Sequence, residues 1–178
     1  MRFLLLGVFV FLTGCMAGMP NNVSQNISDF DGSRSLTMEP GFIYESADTW
    51  SYGHFQLGLF WTSKAKDAVF IKAKLPNGIA NIKSHEGLQF NINGKLTKLS
   101  TKTMFTKFNT DTAGGHVYAD SSKSFAVPIT FIQKLLDAKT VKVKLITGNG
   151  VYAGDFKADK PSAAIRGFKA FTQKLKQS

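Results

Sequence analysis

From Leu36 onward apolar and polar residues alternate with a period of two, the pattern of strands that lay one face on a core. Phe55 to Trp61 is a richly apolar strand candidate. Val69-Phe70-Ile71-Lys72-Ala73-Lys74-Leu75 puts Val69, Ile71, Ala73 and Leu75 on one face, then stops at the turn signal Pro76-Asn77-Gly78. Leu88, Phe90 and Ile92 alternate as far as Asn93-Gly94, and Lys95 to Thr101 is expected to return as their hairpin partner. Both turn residues tolerate the positive φ of a type I′ turn. Thr140 to Ile146, Gly148-Asn149-Gly150 and Val151 to Phe156 predict a second hairpin.

Two segments change to helical period. Phe131, Ile132, Leu135 and Leu136 form a short apolar face after Pro128, predicting a helix near 129–138. Ala164, Ile165, Phe168, Phe171 and Leu175 recur every three or four residues after Pro161-Ser162, predicting an amphipathic C-terminal helix near 162–176. Packing against a sheet is the expected use of its stripe; a membrane surface or a partner is the alternative. Strands joined by short turns, with helices late in the chain, indicate a mainly β (α+β) fold. The expected architecture is an antiparallel β-sandwich or open barrel with a helix covering one side.

The N-terminus follows a different logic. After Met1-Arg2 comes an apolar run from Phe3 to Leu12, then Thr13-Gly14. A basic start, a short apolar stretch and small residues at its end are the parts of a secretory signal peptide. The run is shorter than the roughly 20 apolar residues of a transmembrane helix. Leu12-Thr13-Gly14-Cys15 resembles the lipobox of bacterial lipoproteins. The resemblance covers only this targeting segment. It implies that residues 1–14 are removed and that the Cys15 thiol carries diacylglycerol, with fatty acyl chains such as palmitate as the membrane anchor. Two or three acyl chains, at ~0.8 kcal/mol per buried methylene, hold far more firmly than one. Met16 stands where lipoproteins retained in the inner membrane usually carry Asp, which implies the outer membrane, facing the periplasm, in a diderm cell. Residues 16–28 carry no charge and no periodicity, so 15–29 reads as a lipidated cysteine and flexible tether, with 30–178 as one β-rich domain.

Composition then limits the chemistry. The 178 residues are 43% hydrophobic with 16 Phe, enough to form a core and to exclude disorder, collagen or a coiled coil as the main architecture. One cysteine excludes an intramolecular disulfide and a four-cysteine zinc site. The net charge is +10, and the excess is uneven: residues 15–60 hold one basic and five acidic residues, whereas 61–178 hold 20 basic and seven acidic. Nineteen of the 22 basic residues are Lys, which acts as a solvated point charge. Lys72, Lys74, Lys142 and Lys144 alternate with apolar residues and therefore point away from the core. If their strands are neighbours, one sheet face carries a lysine cluster that attracts anionic envelope polymers such as lipopolysaccharide phosphates or acidic glycan. Nucleic acid is not an expected partner of an exported protein, despite a pI near 9.7.

No catalytic pattern emerges. His54, His85 and His116 have no metal-ligand spacing, no Gly-x-Ser-x-Gly frames a nucleophile, and no loop has the form of a phosphate cradle. No metal or cofactor is expected. Trp50-Ser51-Tyr52 falls in an expected loop, where Trp50 and Tyr52 are candidates for lining a ligand groove or a protein contact. The expected function is a non-enzymatic binding or accessory module for an envelope protein or anionic polymer. The alternatives are a carrier holding a lipid-type ligand between sheet and helix, and a hydrolase in which His85, Glu86 or His116 converge.

Overall fold

The computed structural model describes residues 23–43, 55–113, 116–159 and 162–177. Among these described residues ten strands form two antiparallel sheets, one of them curled into a half-barrel. The larger sheet contains β1 (Val23–Ile27), β2 (Arg34–Phe42), β3 (Gln56–Thr62), β4 (Ala68–Leu75), β7 (Lys107–Ala113) and β8 (His116–Pro128), in the order β1-β2-β3-β4-β8-β7. The smaller contains β5 (Leu88–Ile92), β6 (Lys95–Leu99), β9 (Val141–Ile146) and β10 (Val151–Lys157), in the order β10-β9-β5-β6. The chain thus alternates between sheets, four strands in the first and then hairpins in turn.

Local signals build most of this. In β4 burial alternates along its whole length, with Val69, Ile71, Ala73 and Leu75 buried as the sequence pattern predicts. At the β5–β6 turn Asn93 has φ 49° and Gly94 φ 87°, both left-handed, which Asn and Gly adopt most readily. The Asn93 side chain also accepts hydrogen bonds from the Lys139 and Thr140 amides at 2.9 and 3.0 Å, fixing the entry to β9. The second hairpin closes through Gly148-Asn149-Gly150 as expected, its turn tied by Thr147 Oγ1 donating to the Gly150 carbonyl at 3.0 Å.

The helices fall where the period changes: α1 at Ile129–Asp137 and α2 at Ala163–Leu175. Ser162 caps α2, its hydroxyl accepting from the Ile165 amide at 3.2 Å. The apolar stripe of α2 buries Ala164, Ile165, Phe168 and Phe171 against the larger sheet, so packing is its use. Phe168 meets Phe156 edge-on at 4.9 Å between ring centroids, and Phe156 meets Phe90 at 6.4 Å. Side chains from both sheets and both helices share one hydrophobic cluster.

One boundary differs from the sequence reading. Val23–Ile27, inside the stretch read as a flexible tether, is strand β1, in register with β2 from Val23↔Met38 to Ile27↔Arg34. Its middle residues are Ser, Gln and Asn, so its support comes from the backbone ladder and from Lys174 of α2, which donates to the Val23 carbonyl at 2.9 Å. Hydrophobic periodicity does not register such a strand. Cys15, Trp50 and Tyr52 lie outside the described residues.

Candidate functional site

The side of the larger sheet turned away from the core carries a groove of about 480 Å³. Strand parity dictates its floor. Leu59 and Trp61, and likewise Val69 and Ile71, are buried in the core. Phe60 and Phe70, one residue out of step with them, therefore stand on the opposite face. Their rings are 6.1 Å apart, and cross-strand register places Thr37, Phe60, Phe70 and Ala126 in one row. The next row holds Gly58, Lys72 and Ser124, and the one after it Gln56, Lys74, Ser122 and Lys107. Pro40 arches over Gly58 at the bulge in β2: a Cβ on Gly58 would lie 2.8 Å from the Met38 carbonyl and 3.1 Å from Pro40. Glu39 and Pro40 form one wall, and Thr103, Phe105 and Lys107 the other.

The groove is electropositive. Lys72 is half-buried, and among the described residues neither it nor Lys107 meets a carboxylate within 4.0 Å. Lys74 differs, since it pairs with Asp120 at 2.9 Å. Asp120 also accepts from the Asn109 amide at 2.9 Å. Burial alone would raise the Asp120 pKa, but the hydrogen bonds from Lys74 and Asn109, with the nearby Lys72 charge, hold it below the ordinary carboxylate value. Lys74 is thus neutralised within the protein, which leaves Lys72 and Lys107 as the positive charges offered to a ligand, with Glu39 on the opposite wall.

The wall at Thr103–Phe105 is fixed from beneath. Lys123 shares its parity with the core residue Phe125, and only 3% of it is exposed. Its ammonium donates to the Ile82 carbonyl at 2.7 Å, Ser84 Oγ at 2.8 Å and the Met104 carbonyl at 3.2 Å. Ser84 Oγ in turn donates to the Thr103 carbonyl at 2.9 Å. Burial lowers the Lys123 pKa from the usual lysine value, and the acceptors that meet the desolvated charge are neutral.

The expected cluster of four lysines does not assemble. Lys72 and Lys74 are on β4 of the larger sheet, whose neighbours are β3 and β8. Lys142 and Lys144 are on β9 of the smaller sheet, exposed beside Asn91 and Gln89 of β5. Alternation sets which way a side chain points but not which strands pair, and the chain assigns these two strands to different sheets. Sequence reading passed over Phe60, Phe70, Lys107, Ser122 and Ser124. The available signal was parity: Phe60 and Phe70 are large aromatics at polar positions of otherwise alternating strands.

His85 is exposed, with Nε2 3.8 Å from a Glu86 oxygen and Nδ1 3.4 Å from Ser100 Oγ. Glu86 is held by Lys98 at 2.7 Å, a contact that lowers its pKa. No group of three His, Cys, Asp or Glu able to hold a metal ion occurs among the described residues, and no described helix is long and apolar enough to cross a membrane. Comparison with protein-family models, curated proteins and solved structures finds no match to the chain.

Proposed function

We propose that this protein is a bacterial envelope lipoprotein, anchored through acylated Cys15, whose β domain binds an anionic envelope polymer in the groove of its larger sheet. The lipobox-like Leu12-Thr13-Gly14-Cys15 supports the anchor, and Met16 the outer membrane facing the periplasm. The observation that carries the binding reading is Lys72, half-buried with no ion pair among the described residues, between the aromatic pair Phe60–Phe70 and the exposed Ser124. Sugar rings lay apolar faces on aromatic side chains, hydroxyls satisfy their polar edges, and a carboxylate or phosphate takes the place of the missing counter-ion. Lys107 and the lysine-rich body steer such a polymer toward the site.

A surface groove suits a polymer, which must pass through without ends. The residues between the two sheets, including Phe55, Phe90, Phe125, Phe156 and Phe171, are packed together, which favours this reading over a lipid held in the interior. The experiment has two arms. Cys15→Ala is expected to move the protein from the membrane to the soluble fraction of cells. Charge reversal at Lys72 is expected to weaken binding to acidic glycan or lipopolysaccharide, with no effect on a neutral glycan of the same length.

A further inference from the structure

The loop between β6 and β7 presents apolar side chains where a fold normally hides them. Met104 is 77% exposed and Phe105 83%. Ile79 and Phe108 are also exposed and belong to the same end of the molecule. Thr106 Oγ1 ties the loop to Asn81 and Ile82, while Ser121, opposite Phe108, takes the Ala80 amide and donates to the Gly78 carbonyl. The stretch 101–108 contains Lys102 and Lys107 and no acid, and Lys83 is exposed on the adjoining segment. Of the nearby acids, Glu86 pairs with Lys98 and Asp120 with Lys74, while Glu39 stands on the opposite wall of the groove. Lys123 and Ser84 grip the carbonyls of Thr103 and Met104, so the two apolar side chains project from a backbone held in place.

We infer that this loop is a lipid-contact element: Met104 and Phe105 enter the interfacial layer of an anionic bilayer, and Lys102 and Lys107 meet its headgroup phosphates. An apolar tip flanked by cations, in a loop that itself carries no carboxylate, complements a negatively charged membrane surface. A stable protein partner requires roughly 1,200 Å² of buried surface or more, far beyond what these few side chains offer. A bilayer interface accepts a small convex tip without shape matching. The inference holds whether or not the groove takes a polymer.

The test uses the full chain carrying Phe105→Trp, reconstituted from detergent into vesicles with brominated acyl chains. In equimolar phosphatidylglycerol and phosphatidylcholine, the tryptophan at 105 is expected to shift its emission to the blue and be quenched, beyond the signal of the parent chain. Adding Lys102→Glu and Lys107→Glu, or using phosphatidylcholine alone, is expected to reduce vesicle engagement of the loop by at least about tenfold. No added quenching in the anionic vesicles overturns the proposal. Equal quenching in neutral and anionic vesicles overturns headgroup recognition. Protection by soluble acidic glycan without any effect of vesicles would make Phe105 a groove wall only, and also overturns it. The substituted side chain is exposed, and a melting curve matching the parent verifies the fold in each arm.

Discussion

The Lys123 ammonium sits 2.7 Å from the Ile82 carbonyl oxygen, on the core side of a sheet, with no carboxylate of the described residues paired to it. One lysine therefore joins the segment after β4 to the loop after β6, and that loop forms a wall of the groove. Lys123→Met keeps the length of the side chain and removes the donors. The Ile82 and Met104 carbonyls then lose a partner in a site that water reaches poorly, a loss of about 1–3 kcal/mol. Chemical denaturation should show that loss, and amide exchange should quicken at Ile82–Ser84 and around Met104. Unchanged or increased stability would mean that desolvating the ammonium costs as much as its hydrogen bonds contribute.

Asp120 makes stability depend on acid. Its folded pKa lies below the ordinary value of 3.8, so the unfolded chain binds a proton more readily than the folded one. The contribution is fully present above pH 3.8 and is lost as pH falls through the lowered folded value. Asp120→Asn should accordingly be less stable than the parent near neutral pH, with the gap closing at the acid end. A gap that stays constant with pH would assign the effect to packing instead of the Lys74 pair.

Gly58 lies in the groove floor beneath Pro40. Gly58→Ala would put a Cβ 2.8 Å from the Met38 carbonyl, which belongs to backbone and cannot swing aside. Displacing the β2 bulge is expected to cost about 1–3 kcal/mol and to move Pro40 away from the groove. A change within about 0.5 kcal/mol, measured by thermal or denaturant unfolding, would show that the bulge yields freely.

Elements set by neighbouring residues were legible in the sequence, and those set by distant pairing were not. Asn93-Gly94 fixes its hairpin within two residues, and Pro128 and Ser162 mark where α1 and α2 begin. β1 escaped because Ser24, Gln25 and Asn26 contribute a backbone ladder and little apolar burial. The long strand β8 places Ser121 and Lys123 on the core side, where polar side chains serve loops that cross from other parts of the chain. The groove draws on β2, β3, β4, β8 and the Thr103–Phe105 loop, so no single window of sequence contains it. Of its lysines Lys72 was visible as an outward-pointing residue and Lys107 was not, and the separation of Lys72 from Lys142 and Lys144 follows from topology alone.

The central claim is that Lys72 in the aromatic groove holds an anionic polymer, and titration of the full chain with purified acidic glycan tests it most directly. Lys72→Glu is expected to weaken binding at least about tenfold, as reversal of a partly desolvated charge contact should. Lys142→Glu, on the other sheet and of equal formal charge change, is expected to change it less than about twofold. Equal losses from the two substitutions would reduce the interaction to net charge, and undiminished binding by Lys72→Glu would contradict the groove as its site.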